Sequence, residues 1–225
     1  VGLRKRRMKI QFYNSIDVHN HVPVVPAKKL VPEWYKKVQQ NTSLHPGGPT
    51  IPTIKQCPPV TDMLTSGYII SCPVDITLYP KEEPANYKGI NAETHPDYMP
   101  SQHHWKMCPV DIKGKEHWTK LKHGWTVRTP EGYSCLLMQP FYFFNKDITL
   151  FPAVVDTDKH DIPVEFPGYL HSNNKTTIKQ GTPLMQVIPF KRDEWQMEML
   201  VNTDKPSILE QGSYKDLVQS KKKSQ

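Results

Sequence analysis

Residues 154–161 read Val-Val-Asp-Thr-Asp-Lys-His-Asp, so three carboxylates (Asp156, Asp158 and Asp161) and the imidazole of His160 follow directly on an apolar pair. Oxygen donors at this density can ligate a hard cation or position a water, with Asp156 as ligand or base and Asp158 and His160 beside it. The same composition also builds an Asp-rich turn, whose carboxylates accept hydrogen bonds from nearby backbone N–H groups. Turns recruit Asp without any chemistry, and the turn is the preferred reading.

Histidines offer a second route to chemistry. His19 and His21 form a His-x-His pair, and His95, His103 and His104 follow in a polar stretch, with His117 and His123 further on. A His-x-His on a strand puts both rings on one face, which suits a divalent metal if a third ligand arrives. Nothing supplies that ligand at a recognisable spacing, so His95, His103 and His104 stand as metal candidates without a defined geometry, and no motif names a cofactor. Ser134 and Cys135 in "GYSCLL" are possible nucleophiles, but no Gly-x-Ser-x-Gly elbow surrounds them and the flanking residues are apolar. Cys57, Cys72, Cys108 and Cys135 lack CxxC spacing, the pattern of buried free thiols in a reducing compartment.

The elements that must position these groups are set by proline. Its 22 copies among 225 residues exclude an all-helical chain, because each removes a backbone donor. "MKIQFYNSI" reads as a first strand. A short helix is expected over about residues 32 to 40, where Pro32 and Glu33 open it and Lys36 and Lys37 follow. "CPPVTDMLTSG" gives a second, stopped by Gly67. Strands follow at Tyr68–Ser71 and Val74–Tyr79, then a polar, Pro-rich surface excursion over 81–102. From Trp125 to Arg192 short strands recur between Pro and Gly, with turns at Gly132 and at Gly181-Thr182-Pro183. "PFYFF" at 140–144 is expected to be a strand showing rings to both faces, the one hint of self-assembly.

A hydrophobic content of 37% supports a core, and no apolar run is long enough to span a membrane. The N-terminus has basic residues but no apolar h-region, so no signal peptide is expected and residues 1–7 are set apart as a leader. The net charge of +7 gathers in Arg4 to Arg7 and Lys221 to Lys223, a pattern of solvated tails that argues against nucleic-acid binding.

Five segments, "PAKKLVPEWYKK", "IKQCPPVTDMLTSGYII", "TPEGYSCLLMQP", "VVDTD" and "GTPLMQVIPFKR", together resemble a family of tailed-phage proteins, cyanophage proteins among them, for which no activity is established. The resemblance implies a place in the host cytoplasm or the virion. At the level of fold, the order "PEGYSCLLMQP", "AVVDTDKHD", "IKQGTPLMQV" is similar to the β-clip of the trimeric dUTPase and dCTP deaminase group. Val155 and Asp156 match its Ile-Asp, and Gly181 with Gln186 its last motif. Gln139-Pro140-Phe141 stands where that group has Arg-Ser-Gly, and Lys159-His160-Asp161 where it has Tyr-Arg-Gly. The glycine-rich phosphate loop is also missing, so the electrostatic stabilisation of phosphoryl chemistry is not carried over.

The expected architecture is therefore mainly β: a compact barrel or sandwich with a β-clip-like C-terminal half and one or two short helices near the N-terminus. One domain is expected over 8–200, divided into 8–102 and a core over 103–200, followed by a polar basic tail over 201–225. The expected role is binding or structural, with a homo-oligomer, a trimer by the resemblance, and virion or host proteins as partners. The alternative is a nucleotide- or metal-dependent enzyme that uses Asp156 to Asp161.

Overall fold

The computed structural model describes residues 8–14, 16, 22–81, 89–102, 118–172 and 174–199. His19, His21, His103, His104, His117, Cys108, the leader and the basic tail lie outside them. The chain divides into two compact units, one of residues 1–30 and 66–192, the other of residues 31–65 and 193–225.

The smaller unit holds α1 (Glu33–Lys37), a hairpin of β3 (Asn41–Ser43) and β4 (Thr50–Pro52), and α2 (Pro58–Thr65). Helix α1 is shorter than the sequence predicts. The carbonyls of Gln39 and Gln40 are taken by Thr53 and Gln56, which pull the chain into an extended path from Val38 onward. Tyr35 ties α1 to α2 through a 2.7 Å bond between its hydroxyl and that of Thr61.

The larger unit begins with β1 (Gln11–Asn14) and β2 (Val25–Pro26), then continues after α2 with β5 (Tyr68–Ser71), β6 (Ile76–Lys81), β7 (Gly89–Glu93), β8 (Ser101–Gln102) and β9 (Trp118–Leu121). Next come β10 (Trp125–Arg128), β11 (Tyr133–Met138), β12 (Ile148–Leu150), β13 (Ala153–Val155), β14 (Phe166–Leu170), β15 (Thr176–Ile178) and β16 (Pro183–Lys191). They form sheets ordered β13-β11-β16-β5-β2, β12-β14-β9-β8 and β15-β6-β7, with β1 paired to β10. The pairings are antiparallel, and among the described residues no sheet closes into a barrel. The chain is mainly β, as its punctuation by proline and glycine predicts.

Strand β16 is the centre of the largest sheet. Leu184, Met185, Gln186 and Val187 are all buried, as expected for a strand covered on both faces. Buried Gln186 donates its amide to the Ser66 carbonyl at 2.8 Å. Gly67, at φ +69°, lies so close to β16 that a Cβ would fall 2.1 Å from the Val187 carbonyl oxygen. Strand β14 alternates, turning Phe166 and Leu170 inward against Ile148 and Leu150 of β12.

Two expectations fail for local reasons. Residues 81–102 are not simply a surface excursion, since β7 pairs with β6 and Tyr98 is buried. "PFYFF" is not a strand: Pro140 can donate nothing to a ladder, Phe141–Phe143 form a 3-10 turn, and Phe144 takes a left-handed φ of 49°. The Asn145 side chain then accepts the N–H groups of Asp147 and Ile148 and reverses the chain into β12.

The Gly181 turn is present, with φ +82° and a 3.0 Å bond from Thr182 N–H to the Lys179 carbonyl. It does not make a hairpin, because β15 pairs with β6 while β16 pairs with β11 and β5. The turn is docked at the end of β5 instead, where Gly181 N–H donates to the Cys72 carbonyl and Cys72 N–H to the Thr182 carbonyl, each at 2.8 Å.

Candidate functional site

The apolar stretch that begins at Pro183 ends on Arg192, and that residue organises the Asp-rich turn. Strand β16 runs antiparallel to β11 with Lys191 opposite Tyr133, which brings Arg192 to the turn between β10 and β11. Its backbone N–H donates to the Gly132 carbonyl at 2.8 Å. Its guanidinium donates to both oxygens of Asp158, to the Ser134 hydroxyl at 2.9 Å and to the Tyr133 carbonyl at 3.1 Å. A second carboxylate, Asp156, lies 3.1 Å from the same nitrogen and accepts the Ser134 hydroxyl proton at 2.6 Å. Gly132, free to adopt φ +82°, turns its N–H onto Asp158 at 2.9 Å.

A fork of fixed N–H donors facing a carboxylate is the strongest ion-pair geometry a side chain offers. Hydrogen bonding from Arg192 holds the Asp158 carboxyl down to about 2, and the side chain is only 4% exposed. The Ser134 hydroxyl, with Arg192 and Lys159 nearby, holds Asp156 below the usual carboxylate range as well. Neither acid is poised to take a proton near neutrality. Ser134 is fully buried and already bonded on both sides, and burial pushes the neighbouring Cys135 thiol up, so neither has the character of a nucleophile.

The rest of the cluster diverges. Asp161 pairs with the Arg128 guanidinium, which stands 5.5 Å from the Tyr13 ring. His160, whose backbone N–H closes the turn onto the Asp156 carbonyl at 2.9 Å, faces a cavity of about 500 Å³. Ile16, Lys120, Lys122, His123, Gly124, Ile162, Pro163, Val164 and Glu165 complete its lining. Asp156 and Asp158 do not reach it.

His123 is a wall of this cavity. It is 1% exposed, stacks on Phe166 with centroids 4.2 Å apart, accepts the Trp125 N–H at 3.1 Å and bonds the Val164 carbonyl at 2.5 Å. One nitrogen must therefore be the acceptor and the other the donor, which is the neutral ring, and burial pushes its pKa down to about 4. Lys120 lies 3.9 Å from Glu165, which also accepts the Ser101 hydroxyl at 2.7 Å.

Of the metal candidates, His95 caps a 3-10 turn by accepting the Asp97 N–H at 3.4 Å. Among the described residues no three His, Cys, Asp or Glu side chains converge as a metal site.

The sequence reading did not single out Arg192, Lys120, Lys122 or Glu165, and it named His123 only as a metal candidate. Arg192 carried a signal, a basic residue closing an apolar strand whose register meets an Asp-rich turn. Lys120, Lys122 and Glu165 carried none.

No family model and no curated protein matches the chain, so the phage-family resemblance gains no support from either comparison. Among solved structures the chain is similar to a mutant dUTPase from phage phi11 of S. aureus, described for its structural Mg(II) ion, at 12% identity, 62% of this chain, 86% of that one and a TM-score of 0.36. It is also similar to a mutant dUTPase of Staphylococcus bacteriophage 80alpha, at 10% identity, 88% of this chain, 99% of that one and a TM-score of 0.38. The likeness is one of fold, it is weak, and the chemistry of this chain rests on its own residues.

Gln139 illustrates the point. Its amide donates to the Ile148 carbonyl at 2.9 Å and accepts the Leu150 N–H at 3.1 Å, so it braces β12 rather than facing solvent.

Proposed function

We propose that this chain is a binding protein on a mainly β scaffold and not a catalyst. The observation that carries the reading is the tethering of Asp158 through both oxygens by Arg192 and the Gly132 N–H, and of Asp156 through Oδ1 by Arg192 and Ser134. A general base needs a pKa near the working pH, and these bonds hold both carboxyls below the usual carboxylate range. Phosphoryl chemistry would in addition need donors on the transferring phosphate, and Gln139 is committed to the backbone of β12. Incubation with dUTP and Mg²⁺ should release no pyrophosphate above the buffer rate. Metal-dependent release that disappears in Asp156→Ala would overturn the reading in favour of the enzyme alternative.

Self-association is a second reading, favoured by one observation. Phe141 and Phe144, 67% and 52% exposed, hold each other edge to face at 5.8 Å on a turn with left-handed backbone. A large exposed aromatic pair fits a partner surface. Light scattering at micromolar concentration should then report an oligomer that Phe141→Asp dissociates while the chain stays folded; a native monomer rules it out.

A further inference from the structure

We propose that the cavity between His123 and His160 binds a small organic monoanion, an apolar ring or branched aliphatic body that carries one carboxylate. The inference rests on the binding-protein reading and names its ligand class. A volume of about 500 Å³ falls in the range of sites that enclose a small molecule, roughly 300–1,000 Å³. Ile16, Ile162, Pro163 and Val164 give it an apolar wall, and Ile162 is 63% exposed at its rim. Gly124, at φ +74°, allows the close approach of Ile16, since a Cβ there would meet the Ile16 side chain at 3.0 Å.

The polar groups decide the charge. Two ammonium groups, Lys120 and Lys122, face one carboxylate, Glu165, so the lining carries one net positive charge. Lys120 shares its charge with Glu165. Among the described residues the Lys122 ammonium and the His160 ring have no side-chain partner, whereas both nitrogens of His123 are spent. One unpaired ammonium and one imidazole in the same apolar lining complement a single carboxylate. A dianion would leave a net negative charge in a partly desolvated site, and a metal cation would meet repulsion.

Isothermal titration of the full chain with phenylacetate tests this, with neutral phenylacetamide and dianionic phenyl phosphate as comparators. Phenylacetate should bind saturably and more tightly than either. Lys122→Gln should weaken phenylacetate about tenfold and leave phenylacetamide unchanged. Ile162→Glu, at an exposed rim position, should abolish binding of phenylacetate with the melting temperature preserved. Equal affinity for the amide, tighter binding of phenyl phosphate, no saturable binding, or binding indifferent to both substitutions would each overturn the proposal. A protein that binds none of the three and releases no pyrophosphate from dUTP loses only the ligand class. Pyrophosphate release removes the reading beneath it.

Discussion

The Asp156 to Asp158 turn and the cavity beside His160 are separated by the single residue Lys159 in the chain and treat polar groups in opposite ways. In the turn, one guanidinium, one hydroxyl and one glycine N–H engage both carboxylates, Asp158 through both oxygens and Asp156 through one. In the cavity, Lys122 and His160 face an apolar wall uncommitted. The turn holds five ionisable residues in the six from Asp156 to Asp161, and density there answers a need of the fold: the end of β16 must be fastened to the β10–β11 corner. The cavity draws its polar groups from distant segments, and few are needed because few must be neutralised. A local crowd of charges is thus a poorer sign of ligand binding than a sparse set left unpaired by the fold.

The largest effect expected from this contrast is at Arg192. Arg192→Ala strips Asp158 of its partner while the carboxylate stays 4% exposed, and the melting temperature should fall by roughly 5–10 °C. Arg192→Lys should recover only part of the loss, because an ammonium cannot make the paired bonds. A scanning calorimetry trace unchanged in Arg192→Ala would mean that the turn is held by something else and that its carboxylates are free for chemistry.

Acid should separate the two regions next. The His123 ring has a folded pKa of about 4 against 6.5 for an unburied ring, so below pH 6.5 the unfolded chain takes up a proton that the folded chain refuses. Its contribution is complete above pH 6.5 and is lost as pH falls towards 4, a difference of about 3 kcal/mol. Asp158 behaves later: its contribution holds above the usual carboxylate range and fades only as pH falls through about 2. Urea unfolding across pH 7 to 4 should show the first decline in native protein and in Asp158→Asn, and lose it in His123→Gln. A decline that survives His123→Gln would place the titrating group elsewhere.

These two regions also mark how far the sequence could be read. Strands at 68–71, 125–138 and 183–191 were legible because alternation and Pro or Gly punctuation are local properties, and so were the turn at Gly132 and the positive φ at Gly181. Pairing was not. "GWTVRTPEGYSCLLMQP" looks like a hairpin, but β10 pairs with β1 and β11 with β13 and β16, because the register is decided by which faces the core can cover. "PFYFF" was misread since β propensity is overruled by a single Pro140 and the Asn145 side chain. The Asp-rich turn was legible as a turn, yet the partner of Asp158, Arg192, is 34 residues away in sequence, beyond any local pattern. The cavity was invisible because Lys122, His160 and Ile16 meet only through tertiary packing.

A smaller pair of substitutions sharpens the comparison. Gly132 and Gly181 share φ +82° and open space where a Cβ would go, so Gly→Val at either site meets backbone strain without a clash. Gly181→Val should cost about 1–2 kcal/mol. Gly132→Val adds to the same strain any shift of the N–H that Asp158 accepts, and should cost more. Equal losses in chemical denaturation would show that the Asp158 turn adjusts freely, contrary to its role as a fastening.

The smallest stability effect should come from the cavity itself. Lys122 is half-buried and, among the described residues, makes no ion pair, so Lys122→Gln should change folding stability by no more than about 0.5 kcal/mol. That near-silence is what an unspent group predicts, since the fold gains nothing from it and only a ligand would. The substitution removes the net positive charge of the lining and keeps a polar side chain of similar reach, so its effect should appear in anion affinity and its salt dependence rather than in the unfolding midpoint. A clear destabilisation by Lys122→Gln would put Lys122 in the same class as Arg192, a charge the fold has already used, and the contrast between turn and cavity would collapse.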